Sequence, residues 1–163
     1  MPVSEIHHVA VIVSDLERSV QFYEVGLGYK RTLTAEVGGI GLETAIGLPS
    51  GVEGNIQYLQ GPSRLGQLEL IQWKTSPGPQ QRRDHTELGP LLLSFEAPKD
   101  ELSEIHDRFV QMGANMVSGL TTTELQNFGF ITAFSVRDPD GNLIEIVALP
   151  TREEILAFRS SNS

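Results

Sequence analysis

The chain has 163 residues, 39% of them hydrophobic and 20% charged, which suits one ordinary globular domain or two small modules sharing a core. A formal charge of −9, from 12 basic and 21 acidic side chains, argues against nucleic-acid and anionic-membrane partners, whose phosphates need a basic surface. With no cysteine, disulfides, thiolate metal sites and cysteine nucleophiles are excluded.

No apolar run reaches the roughly 18 to 20 residues that span a bilayer. The opening MPVSEIHH has neither the basic start nor the apolar stretch of a signal peptide, so the expected location is cytoplasmic.

Residues 5–13, EIHHVAVIV, alternate and are rich in Val and Ile, which predicts a strand. Ser14 or Asp15 can cap a following helix in which Leu16, Val20, Phe22, Tyr23 and Leu27 keep roughly helical spacing, and Gly26 and Gly28 end it. A second strand follows at 29–37, then a short helical turn at 42–49 closed by Gly47 and Pro49. NIQYLQ (55–60) and QLELIQWK (67–74) read as two more strands split by the turn-forming GPSRLG. Residues 76–88 are rich in Pro, Gln and charge without periodicity and read as a linker.

The order then restarts. LLLSFEA (91–97) predicts a strand, and 99–114 a helix with Leu102, Ile105, Phe109 and Met112 on one stripe. NMVSGL, FGFITAFSV and NLIEIVAL supply further strands, and DPDGN (138–142) is a hairpin turn. TREEILAFR (151–159) predicts a terminal helix capped at Thr151. The chain therefore reads as β-α-β-β-β twice: a first module at 5–75, a second at 89–149, and a C-terminal helix and tail at 150–163. Each sheet has one helix to cover it, so its other face must meet the other half, a partner chain or a ligand. That leftover surface, with the amphipathic terminal helix (Ile155, Leu156, Phe158), predicts a homodimer.

Residues two apart on a strand share a face. His8 lies with Ala10 and Ile12, and Glu69 with Gln67, Ile71 and Trp73; Glu145 sits with Leu143 and Val147. Each is a polar group on an otherwise apolar strand, and each on its own is as consistent with a solvated sheet face as with a site.

"HHVAVIVSDLERSVQFYEVGLGY", then LELIQW, and the ending "VRDPDGNLIEIVA" together resemble the vicinal oxygen chelate superfamily of glyoxalases, bleomycin and fosfomycin resistance proteins and extradiol dioxygenases. The likeness runs from about residue 5 to 149 and is more specific for the fold than for the reaction. It implies an α+β fold of two βαβββ modules whose curved mixed sheets form a shared cleft, plus the short C-terminal helix. It implies a divalent metal ion (Mn, Fe, Co, Ni or Zn) held by His8, Glu69 and Glu145, with His7 beside His8 on the helix side or at the strand end. The histidine that begins the second module in metal-dependent relatives falls on Leu92, which binds no metal; His85 in the preceding loop is a substitute that nothing in the spacing requires.

Three readings stay open. The cleft holds a metal through three protein ligands, or is metal-free with Glu69 or Glu145 as a base, or sequesters a small molecule. The favoured activity is a glyoxalase-like, metal-dependent lyase or isomerase acting on a small oxygenated metabolite. Proton abstraction next to a carbonyl falls to Glu69 or Glu145 as catalytic carboxylate. A non-catalytic resistance protein is the alternative and a ring-cleaving dioxygenase the second. Trp73, Phe128, Phe130 and Phe134 are candidate pocket walls, and Arg82 and Arg83 a candidate anion contact.

Overall fold

In the computed structural model of the chain, residues 5–75 and 88–161 are described. They fall into two compact units, Met1–Arg82 and Arg83–Ser163. Arg82, Arg83, His85 and nearly all of the expected linker lie outside the described residues.

In the first unit the alternating run becomes β1 (His8–Ile12), and Asp15 caps α1 (Leu16–Leu27) by accepting from the Arg18 backbone N–H at 3.0 Å. The helix ends at Gly28, whose φ of 71° is a left-handed conformation that glycine adopts without a Cβ clash. Then come β2 (Lys30–Gly38), the short α2 (Ile40–Ile46), β3 (Glu53–Gln60) and β4 (Gln67–Trp73). The strands stand in the order β1-β4-β3-β2, with β1 and β4 parallel and the other pairs antiparallel. Leu68 and Leu70 on one face of β4 are buried with Leu59, Val20 and Tyr23. Gln72 shares that face and accepts from the Leu16 N–H at 3.0 Å, which fixes α1 on this side. His8, Glu69, Ile71 and Trp73 occupy the opposite face.

The second unit repeats the scheme with β5 (Leu93–Glu96), α3 (Leu102–Gln111), β6 (Asn115–Met116), β7 (Thr121–Leu125), β8 (Gly129–Arg137) and β9 (Leu143–Ala148). β5 and β9 are parallel, β8 follows β9, and β6 and β7 both pair with β8. β6 and β7 are thus two pieces of one edge strand. Between them the Ser118 hydroxyl oxygen accepts from the Ser135 N–H at 2.9 Å in place of a strand carbonyl. β7 therefore lies in a stretch, 121–127, to which the sequence assigns no element. Its TTTEL run is exposed at every position, so no apolar alternation marks it.

Phe109 of α3 packs edge-on against Phe134 of β8, ring centroids 5.9 Å apart, and Ile144 and Ile146 complete this core. Phe134 is therefore a core residue and not a pocket wall, whereas Phe130 is exposed and meets Phe158 of α4 (Arg152–Ser161). Thr151 and Glu154 close a reciprocal cap at the start of α4: Glu154 accepts from the Thr151 N–H at 2.8 Å, and the Glu154 N–H donates to the Thr151 hydroxyl at 3.2 Å. The 138–142 turn is held by Asp138, whose carboxylate accepts from the backbone of Asp140 and Asn142 and from the Asn142 side chain.

Candidate active site

The strand register aligns the two units residue by residue. Ala10 of β1 stands opposite Glu69 of β4, and Ser94 of β5 opposite Glu145 of β9. Glu69 and Glu145 are therefore equivalent, as are Ala10 and Ser94. Two residues earlier on the same face, His8 of the first unit corresponds to Leu92 of the second.

Across the other ladder, Tyr58 faces Glu69 and Ser135 faces Glu145. Directly opposed residues share a sheet face, so Tyr58, His8 and Glu69 meet on the side away from α1. His8 Nε2 lies 3.4 Å from Glu69 Oε2, and the Glu69 side chain is only 13% exposed against 38% for His8. The Tyr58 ring stands edge-on to the His8 imidazole, centroids 5.6 Å apart. Burial first, then hydrogen bonding with Glu69 and the carboxylate charge, push the Tyr58 pKa up to about 12. In the second unit the Ser94 hydroxyl donates to Glu145 Oε2 at 2.7 Å.

Tyr58 and Ser94 are the functional candidates that residue-by-residue reading misses. Both lie in recognised strands, but their pairing with the carboxylates rests on cross-strand register, which a six-residue turn or a 51-residue separation does not declare. Trp73 lies on the face of Glu69 with its ring across Gly54, where an added Cβ would come within 2.8 Å of the ring.

The donor chemistry bears on a metal. Two ligands bound at about 2.1 Å to one ion stand about 3.0 Å apart at a right angle and about 3.4 Å apart at the tetrahedral angle. The 3.4 Å between His8 Nε2 and Glu69 Oε2 fits one edge of such a site. Among the described residues, no three His, Cys, Asp or Glu side chains gather into a set that could hold an ion. His8 and Glu69 are an N/O pair of a kind that could contribute two donors to a divalent first-row metal.

The family model of the Glyoxalase/Bleomycin resistance protein/Dioxygenase superfamily matches residues 5–146. The chain belongs to this superfamily. No curated protein matches it significantly in sequence. Among solved structures, this superfamily member is similar to a glyoxalase family protein from Bacillus cereus, with a TM-score of 0.74 and 22% identity over 93% of this chain and 97% of that one. It is also similar to a glyoxylase/bleomycin resistance protein/dioxygenase domain from Frankia sp. (TM-score 0.61, 25% identity, 93% and 96% covered). The fosfomycin resistance protein FosX of Listeria monocytogenes, solved in complex with Mn(II) and sulfate, shares the fold at a TM-score of 0.62 and 17% identity, with 95% and 99% covered.

Proposed function

We propose that the protein is a lyase or isomerase that moves a proton at the carbon next to a carbonyl of a small oxygenated metabolite, with a divalent metal ion held at His8 and Glu69. The observation that carries this reading is the 3.4 Å approach of His8 Nε2 to Glu69 Oε2 on the sheet face away from α1. When bound, such an ion (Mn, Fe, Co, Ni or Zn) supplies a Lewis acid that polarises the carbonyl oxygen. Tyr58 holds the Glu69 carboxylate in place through its hydroxyl, as the partners of metal-ligating carboxylates commonly do. The family resemblance adds Glu145 as the third protein ligand.

The two carboxylates differ in their restraint. Glu69 accepts from a phenol packed against His8, whereas Glu145 accepts from a serine hydroxyl, which can rotate away and expose a lone pair. Glu145, once freed from the ion, is therefore the better proton carrier, and Glu69 the better fixed ligand. The exposed Val110 and Leu156 support a homodimer, and a cytoplasmic location remains part of the proposal; a monomer mass from light scattering at micromolar concentration contradicts the dimer.

Leu92 favours a second reading, a metal-free protein that binds or sequesters a small molecule, because the second unit offers no imidazole where the first has His8. Deuterium uptake from heavy water at the carbon beside the carbonyl, read by mass spectrometry over a set of small hydroxycarbonyl compounds, separates the two. The enzyme reading expects uptake that needs added metal and is lost in Glu145→Gln. Ligand binding by metal-stripped protein with no uptake from any compound supports the binding protein instead.

A further inference from the structure

His8, Glu69 and Tyr58 form one end of a longer feature of the first unit. Beyond them on the same sheet face, toward the end of β4, the strand register sets Ile12, Ile71 and Ile56 side by side on β1, β4 and β3. Trp73 and Gly54 follow, with Val37 of β2 beside Gly54. None of these positions carries a charge. Ile71 and Ile56 are buried at the centre, whereas Ile12 is 55% exposed and Trp73 is half-buried. The indole has a built seat. Gly54 is buried, and a Cβ on it would stand 2.8 Å from both Trp73 Cε3 and the Gln72 carbonyl oxygen, and 3.2 Å from Val37 Cγ1. Glycine alone leaves room for the ring against β3.

The fold itself does not require an apolar side chain at Ile12. In the second unit the equivalent register position, two beyond Ser94 and opposite Val147, holds the exposed Glu96. A large apolar side chain open to water beside a candidate site marks a surface that a ligand covers. We propose that Ile12 and Trp73 are specificity-determining residues, forming an apolar subsite for a branched or cyclic hydrocarbon group on the substrate. The row of Ile12 and Ile71 lies two strand residues, about 7 Å, beyond Glu69. A six-membered ring attached to a carbonyl carbon held at His8 and Glu69 extends toward that row, and a methyl group stops short of it. A phosphate or carboxylate at this end of the substrate would lose its water and find no cation among these residues. The subsite rests on the proposed placing of the carbonyl at His8 and Glu69.

Two hydroxyketones with the same head test it: 1-cyclohexyl-2-hydroxyethanone, which carries the ring, and hydroxyacetone, which carries a methyl. The chain has one tryptophan, so its fluorescence reports on the subsite directly, while calorimetry of metal-stripped protein with and without Mn²⁺ gives each Kd. The cyclohexyl ketone should bind at least tenfold tighter than hydroxyacetone and shift the Trp73 emission. Ile12→Glu, which installs the second unit's residue at an exposed strand position, should remove that preference by weakening the cyclohexyl ketone alone. Trp73→Leu should weaken it several-fold, again sparing hydroxyacetone, with folding checked by circular dichroism. Equal affinities, binding of neither ketone, or a preference that survives both substitutions overturns the subsite. A change of mass in light scattering on Ile12→Glu with the preference intact assigns Ile12 to contact between copies and overturns it too. Mn²⁺-dependent binding of both ketones without preference removes the subsite and leaves the proposed function standing; a preference indifferent to Mn²⁺ keeps the subsite and removes the metal.

Discussion

Ser94 stands directly across the β5–β9 ladder from Glu145 and donates its hydroxyl to the carboxylate at 2.7 Å, at the register position where the first unit has only the methyl of Ala10 facing Glu69. The two units thus present the same carboxylate from the same strand and restrain it differently. One uses an imidazole two residues up the strand and a phenol across the sheet; the other uses a serine.

Ser94→Ala removes the donor to Glu145 without disturbing the apolar face of β5. The pair is exposed, so the stability loss should be at most about 1 kcal/mol. The proton-transfer rate should change several-fold while the melting temperature holds within experimental scatter. Calorimetric melting and deuterium uptake measured together check this, and a large fall in melting temperature with unchanged uptake contradicts it.

Tyr58 should ionise near pH 12, above its ordinary value of 10.0. Between those values the unfolded chain gives up the phenolic proton and the folded chain keeps it. The associated stability is therefore intact below pH 10 and lost as pH rises toward about 12. Ultraviolet difference titration of wild type against Tyr58→Phe isolates this step. Glu69→Gln should lower it, because the carboxylate charge and hydrogen bond both favour the neutral phenol. A Tyr58 titration at the ordinary tyrosine position contradicts the contact.

Leu92→His places an imidazole where the duplicated frame has His8. On the metal reading it should tighten Mn²⁺ binding about tenfold or more, equivalent to about 1.4 kcal/mol. On the metal-free reading it should give no saturable metal binding and weaken the organic ligand by about 1–3 kcal/mol, the cost of an unpaired polar group. Calorimetric titration of both forms reads the difference.

Phe109 is fully buried and meets Phe134, itself 1% exposed. Phe109→Ala should destabilise the protein by about 3–5 kcal/mol through lost burial and the cavity left behind. Denaturant unfolding should show a lower midpoint, and a cost under about 1 kcal/mol means that the second core is organised otherwise.

The strands and helices that were legible in the sequence are those that bury one face. LELIQW, with Leu68 and Leu70 inside, and α3, with Leu102 and Phe109, carry their period openly. β7 does not, because Thr121–Leu125 is exposed throughout and is a strand only through its pairing with β8. The break at 117–120 likewise depends on a side chain, that of Ser118, standing in for backbone. His8, Glu69 and Glu145 were recognisable as polar intrusions on apolar strands. Tyr58 and Ser94 were not, since a tyrosine or serine in a strand is unremarkable until its cross-strand neighbour is known. The family resemblance puts Leu92 at the position of a relative's histidine; the register itself pairs Ala10 with Glu69 and Ser94 with Glu145.

The claim that His8 and Glu69 together hold a divalent cation is tested most directly by calorimetric titration of Mn²⁺ into metal-stripped wild type, His8→Ala and Glu69→Gln. The account predicts saturable binding at one site per chain in wild type, weakened at least tenfold by either substitution, with folding unchanged by circular dichroism. Equal binding by all three proteins, or none by wild type, contradicts it.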